Sequence, residues 1–426
     1  MLDRRLMAAS GVAVIALAVS GCAGTAESTD AGEEVTSLTL WHGACVTPEV
    51  EGLYEAFEAE SGITLELVDI RCDGFENATT TRWATGDRPD ILTYHAIPSL
   101  VYPLNPAENF QDLSDMDFVS KAFATVTIDD TVYGAITQFP EVYGFYYNKA
   151  VLADNGLEPP RSMADLVEMC SSLQGTGIDP IIESGASGWP TQLIPLLSMA
   201  EANQDGAYAE AVLSKEETLD DPDGPLVAGL TLYSDLKADG CFNADATTTS
   251  FEDSLAAVID GEAAVTVLHS NFYDSLVTYI GGDRDLLDET VGFVGLSLSE
   301  QMATANYGPF GTFYAPKTGD AAKEAAAREF IEFATGAGYQ DMVDSGPLFP
   351  VYEGATTPDG FSELQLSFQE AAETASPGVN AGIPGFVVLK DVTTKILADQ
   401  SNPIDGAKEL ALSVQQAAGA AGIDGW

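Results

Sequence analysis

Between residues 38 and 94 the apolar pattern changes period twice, and that rhythm restricts the fold more than any other stretch of the chain. Leu38-Thr39-Leu40-Trp41 reads as a short apolar strand. Thr47 and Pro48 then supply an N-cap and a first-turn proline, whose missing N–H costs nothing at a helix start. Val50, Leu53, Tyr54 and Phe57 recur at i, i+3, i+4 and i+7, the spacing of one helical face. Gly62 ends that helix, residues 63–70 alternate as a strand, and residues 90–94 form a third strand after the turn at Arg88-Pro89. A β-α-β order with one-faced helices argues for a parallel α/β sheet.

Later segments keep the theme. Ser162-Met163-Ala164-Asp165 is a capping-box pattern opening a helix through Cys170. Residues 263–268 and 291–296 are buried-strand candidates. Ala326, Phe330, Phe333 and Ala334 share a face of a helix over 321–335 that Gly336 stops. A chain of 426 residues has room for two or three domains, and no repeat of about 20–50 residues points to a solenoid or propeller.

The N-terminus sets the compartment. Arg4 and Arg5 precede a nine-residue apolar run at 11–19, too short to span a bilayer but suited to a signal peptide. The run ends in Val19-Ser20-Gly21-Cys22, which resembles the lipobox of bacterial lipoproteins. Residues 1–21 are then a signal peptide, and Cys22 carries the lipid that anchors the protein to the outer face of the cell membrane. Residues 22–36 are small, polar and acidic, a flexible lipidated tether. No second hydrophobic stretch of spanning length follows, so the remainder is expected to be exported and soluble.

Five cysteines make sense on this reading. With Cys22 lipidated, Cys45, Cys72, Cys170 and Cys241 remain, and two disulfides are the default outside the cytoplasm. Three pairings are possible. Cys45–Cys72 and Cys170–Cys241 are preferred, because Cys45 and Cys72 each lie just past one of two strands that a parallel sheet would set side by side.

Charge and motifs exclude several activities. Against 66 Asp and Glu stand 17 Lys and Arg, a net charge of -49 that repels nucleic acid and anionic headgroups. The chain has no P-loop and no His-Glu-x-x-His, and Ser184-Gly185-Ala186-Ser187-Gly188 does not match a Gly-x-Ser-x-Gly elbow. No motif singles out a catalytic carboxylate pair of the glycosidase kind. Neither an enzyme nor a cofactor is expected.

Five segments, taken in order, carry a family resemblance. They are the opening strand with Trp41 before a helix; Arg88-Pro89-Asp90-Ile91-Leu92; and Tyr146-Tyr147-Asn148-Lys149 with Gly156-Leu157-Glu158-Pro159-Pro160 behind it. Then come Ile259-Asp260-Gly261-Glu262-Ala263-Ala264-Val265, and a stretch from Glu324-Ala325-Ala326 through Phe330-Ile331-Glu332-Phe333 to Gly346-Pro347-Leu348-Phe349-Pro350-Val351. Together they resemble the extracellular solute-binding lipoproteins of bacterial ABC importers, in the maltose and oligosaccharide class (family 1). The resemblance implies a two-lobed α/β fold of the type II periplasmic-binding-protein kind, with a ligand cleft between the lobes and three hinge crossings near 142–145, 291–297 and 345–351. Lobe 1 would then comprise 37–143 and 296–346, and lobe 2 would comprise 144–295 and 347–426. It further implies a monomer that hands a carbohydrate to the transmembrane subunits of a permease.

In open α/β sheets ligands sit beyond the carboxyl ends of the strands. That rule selects Trp41, His42, Tyr94, His95, His269, Ser270 and Asn271, with Trp41 and Tyr94 as platforms for a sugar ring. From the resemblance, Glu141 is placed as a carboxylate acceptor for sugar hydroxyls and Phe386 at a frequent aromatic position. Trp189, at a helix start, and Tyr307 and Phe310, in a Gly-rich aromatic stretch, are further candidates. The opening Trp-His-Gly lacks the charged residues some maltose binders carry there, so the sugar need not be maltose. The candidates include no Lys or Arg, which argues for a neutral saccharide. Zinc-like metal capture by His42, His95 and His269 with Glu141 is the alternative, and a solute-sensing lipoprotein is another.

Overall fold

The computed structural model describes residues 35–44, 46–71, 75–308, 311–346, 348–423 and 425–426. β1 (Ser37–Gly43) forms where the apolar strand is expected, and helix Pro48–Ser61 follows with Val50, Leu53, Tyr54 and Phe57 buried. Gly62 closes the helix at φ 75, in the left-handed region, and donates its N–H to the Glu58 carbonyl. β2 (Thr64–Ile70) and β3 (Ile91–Thr93) pair parallel to the two edges of β1. Buried Asp90 fastens β1 to β3, accepting hydrogen bonds from the Thr39 N–H at 2.8 Å, the Thr39 hydroxyl at 2.9 Å and the Lys323 ammonium at 2.9 Å. β4 (Thr125–Ile128) and β5 (Thr131–Ile136) form an antiparallel hairpin.

The chain next builds a second sheet from β6 (Glu141–Asn148), β7 (Asp179–Ile181), β8 (Ala263–His269), β9 (Val291–Val294) and β10 (Thr304–Asn306). β11 (Thr312–Tyr314) returns to the first sheet and β12 (Ser376–Pro377) belongs to the second. The first sheet runs β2-β1-β3-β11-β5-β4. The second runs β12-β10-β6-β8-β7, with β9 also on β6. The two-lobed α/β architecture is therefore present, although each sheet mixes parallel and antiparallel pairs.

Both faces of each sheet are covered. In the first lobe Leu38 and Leu40 of β1 pack with helix Pro48–Ser61 on one face, while Trp41 packs with Phe75 and Trp83 of helix Phe75–Ala84 on the other. In the second lobe Val142 and Leu268 pack with Tyr273 and Leu276 of helix Tyr273–Tyr279. Tyr143 and Val267 pack on the opposite face with Leu389 and Val392 of helix Leu389–Leu397.

The crossings lie elsewhere than expected. The first falls at 137–140, before β6, since 142–145 is the interior of that strand. The second falls between β10 and β11, because the apolar run from Val291 is a buried strand on β6 and β10 also pairs with β6. Residues 296–306 therefore do not belong with the first lobe. The third comes after Tyr352, whose bridge to Ala122 holds it on the first lobe, and before Glu363 and Leu364, whose N–H groups donate to Asp288 on the second. Two crossings are tied together, since both the N–H and the hydroxyl of Thr137 donate to the Gly311 carbonyl, at 2.7 and 2.9 Å. The Cys170–Cys241 disulfide is present, joining helix Met163–Leu173 to the stretch beside β7. Cys22, Cys45 and Cys72 lie outside the described residues, as does the expected signal peptide.

Candidate functional site

A cavity of about 1580 Å³ opens between the two sheets. Its second-lobe wall grows from the end of β8. The strand stops at His269, the Ser270–Phe272 turn follows, and Phe272 lies over the imidazole at 4.5 Å and 29°. Trp189 reaches the same place from a different segment, because Gly188 takes a positive φ of 70 and turns the chain into the Trp189–Gln192 helical turn. Its ring stacks on Phe272 at 5.8 Å and 23° and meets His269 at 5.2 Å. Phe251, fixed by the Ser250 capping box, completes the wall at 4.7 Å from Phe272. Burial lowers the His269 pKa, opposed in part by the Glu141 charge, so the ring is neutral at pH 7.

Beside this wall stands Glu141, the first residue of β6. Its carboxylate accepts from the Asn271 side-chain amide at 2.8 Å. A Cβ on Gly308 would come within 2.2 Å of the Glu141 carboxylate, so glycine there keeps the carboxylate in place. Glu141 has neutral partners, which leaves acceptor capacity for hydroxyl donors.

The first-lobe wall includes His95 and Glu76; Tyr94 borders it but is 1% exposed and packs with Phe75 in the first-lobe core, so its ring is not the open sugar platform expected. His95 Nε2 lies 2.7 Å from Glu76 Oε1. Burial opposes ionisation of Glu76, but the His95 hydrogen bond and charge, with Lys390 from the other lobe, hold its pKa below the ordinary value. Asp274 shows the opposite balance: burial and then the Glu49 charge push its pKa up, against Arg284. At the rim the Ser99 hydroxyl donates to the Asn380 carbonyl at 2.9 Å, joining the lobes directly.

Two cations that the candidates did not include, Arg284 and Lys390, line the cavity. Four carboxylates outnumber them: Glu49, Glu76, Glu141 and Asp274. An anionic ligand still meets a net negative lining.

The structure gathers Tyr94, His95, Glu141, Trp189, His269, Ser270 and Asn271 along one cavity and leaves four candidates out of it. Trp41 is 2% exposed and inside β1, which runs on to Gly43; it packs in the first core beneath the Arg82 guanidinium at 4.4 Å. His42 is buried facing Asp69 at 2.9 Å. Tyr307 packs against the first-lobe core, and Phe386 is fully buried while its neighbour Val387 reaches the cavity. Phe310 lies outside the described residues. The three histidines do not converge, and among the described residues no group of three or more His, Cys, Asp or Glu could hold a metal. Sequence reasoning missed Phe251 and Phe272. Phe272 lies one residue beyond the strand-end positions selected, and Phe251 follows a capping serine, a helix start that the strand-end rule does not reach.

A sequence profile of bacterial extracellular solute-binding proteins matches residues 52–368. An uncharacterized ABC transporter extracellular-binding protein of Pyrococcus horikoshii is 25% identical over 198 residues, 42% of this chain and 46% of that protein. The match thus spans about half the length of that curated relative. A chitin oligosaccharide binding protein superposes with a TM-score of 0.76 at 20% identity, over 91% of this chain and 99% of its own. RafE, in complex with raffinose, gives 0.71 at 17%, over 89% and 99%. A family 1 extracellular solute-binding protein from Bifidobacterium longum subsp. infantis gives 0.70 at 17%, over 90% and 100%. At these identities the likeness is one of fold, the type II periplasmic-binding-protein fold.

Proposed function

Because the chain belongs to the bacterial extracellular solute-binding proteins, we propose that its cleft captures a neutral saccharide and delivers it, unaltered, to the membrane permease of an ABC importer. The observation that carries this reading is the Trp189 wall beside Glu141. An aromatic face covers the apolar C–H face of a sugar ring, while a carboxylate with neutral partners accepts its hydroxyl protons. The net negative lining disfavours acidic ligands, and the fold is shared with proteins solved as binders of chitin oligosaccharide and raffinose.

Capture works by differential contact. A solute touching both walls binds the closed form better than the open one and shifts the population toward closure. The three connections, at 137–140, between β10 and β11, and between Tyr352 and Glu363, are the segments where the backbone would bend. Lipid on Cys22 would keep the protein at the outer face of the membrane, beside its permease. Metal capture loses its donor set, since His42 sits in the first core away from His95 and His269.

Titration calorimetry tests the reading on two tryptophans. Trp189→Ala should weaken saccharide binding by about 1–3 kcal/mol through lost apolar contact, roughly 5–150-fold in Kd. Trp41→Phe, a change in the first core, should leave Kd unaltered. Equal affinity of wild type and Trp189→Ala would remove the wall from the site.

A further inference from the structure

We propose that Phe361 is the pin of an aromatic clasp across the third crossing, which biases the lobes toward closure without touching the ligand.

The two ends of that crossing are fixed on different lobes. Phe349 lies between Leu348 and Val351, which pack in the core of the first lobe, and the Val351 N–H donates to the Tyr339 hydroxyl at 2.7 Å. Thr356 is a further anchor on that side. Its N–H donates to the Gln340 side-chain oxygen at 2.8 Å, and its carbonyl accepts from the Gln340 side-chain amide at 3.0 Å. On the second lobe, Phe361 immediately precedes Ser362, whose capping box opens helix Glu363–Glu373. Residues 357–360 are therefore a short tether between the lobes. Gly360, at a positive φ of 97, supplies the turn that brings Phe361 back toward the first lobe.

The Phe361 ring lies face to face with Phe349, their centroids 4.1 Å apart and their planes 5° from parallel. Phe139, in the first crossing, meets Phe349 at 5.0 Å and packs against the cores of both lobes. The three rings thus tie the first crossing to the third, as Thr137 and Gly311 tie the first to the second. The Ser99–Asn380 contact belongs to the other faces of the two sheets, where Val101 and Val379 are buried. The lobes are therefore in contact on both sides of the cleft.

Any opening turn of one lobe against the other tilts or slides the two stacked rings, because each is anchored to a different lobe. An aromatic pair shifts an equilibrium constant by roughly 2–10-fold, and here the equilibrium is between open and closed lobes. Phe139 and Phe349 line the cavity, whereas Phe361 does not. Phe361 is accordingly a positioning residue, acting through closure, whatever solute the cleft takes.

Small-angle scattering of the ligand-free whole chain tests the clasp, with urea unfolding as the control for stability. Phe361→Ala should give a larger radius of gyration than wild type at an unchanged urea midpoint. Phe361→Leu, which keeps apolar bulk without a ring, should expand in the same way. Phe361→Tyr, which keeps the ring face, should reproduce the wild-type curve. Wild-type scattering from the alanine and leucine variants would overturn the proposal. So would equal expansion in all three variants, or expansion that comes only with a lowered midpoint, since either would make the ring a structural filler. None of these outcomes bears on which solute is bound, so the saccharide reading stands or falls separately.

Discussion

Replacing Cys170 and Cys241 together by serine is expected to destabilise the protein by about 4 kcal/mol in the chain-entropy account of cross-links. The bond closes a loop across 71 positions of sequence, so its loss returns a large set of conformations to the unfolded chain. Both sulfur positions are buried in the second core, where two serine hydroxyls would find few partners. That loop also contains β7 and the turn carrying Trp189, so the same change should loosen the ligand wall. Urea unfolding of the double variant against wild type measures the effect. An unchanged midpoint at equal slope would show that the bridge contributes nothing to stability.

The second large effect concerns a carboxylate that ligand binding does not use. Glu183 follows β7 in the core of the second lobe and is 5% exposed. Burial pushes its pKa from 4.5 up to about 7, offset in part by the Ser184 N–H and the Tyr233 hydroxyl. The folded protein therefore holds this proton more tightly than the unfolded chain does. Its contribution to stability is complete below the unfolded value of 4.5 and is lost as pH rises toward about 7. The loss is on the order of 3 kcal/mol at about 1.4 kcal/mol per pH interval. Glu183→Gln removes the ionisation and keeps the shape. The variant should match wild type near pH 4.5 and exceed it in stability at pH 8. Parallel pH profiles for the two proteins would contradict this, whatever other carboxylates do in both.

The periodic parts of the fold were legible in the sequence because one-sided burial writes itself into spacing. Val50, Leu53, Tyr54 and Phe57 are buried as their spacing demands, Ser162 caps the helix at Asp165, and Asp320 caps the helix that carries Phe330. Strand ends were harder. The apolar run ends at Trp41, yet pairing through Gly43 with Ile70 extends β1 and draws Trp41 inside. The crossings were misplaced for a related reason. A buried strand such as Val291–Val294 and a chain passing between lobes are both short and apolar, and only hydrogen-bond partners tell them apart.

At the site, the strand-end rule found His269, His95 and Tyr94, and Glu141 came from resemblance. What the rule cannot supply is convergence. Trp189, Phe251 and Phe272 come from three separate segments and become one surface only when the second lobe is packed. The same holds for Arg284 and Lys390, which line the cavity from helices distant in sequence.

Small-angle scattering of the whole chain, with and without a saccharide that saturates it by calorimetry, is the most direct trial of capture between closing lobes. A smaller radius of gyration in the saturated sample is the expected result. Identical scattering curves for the empty and the saturated protein would contradict it.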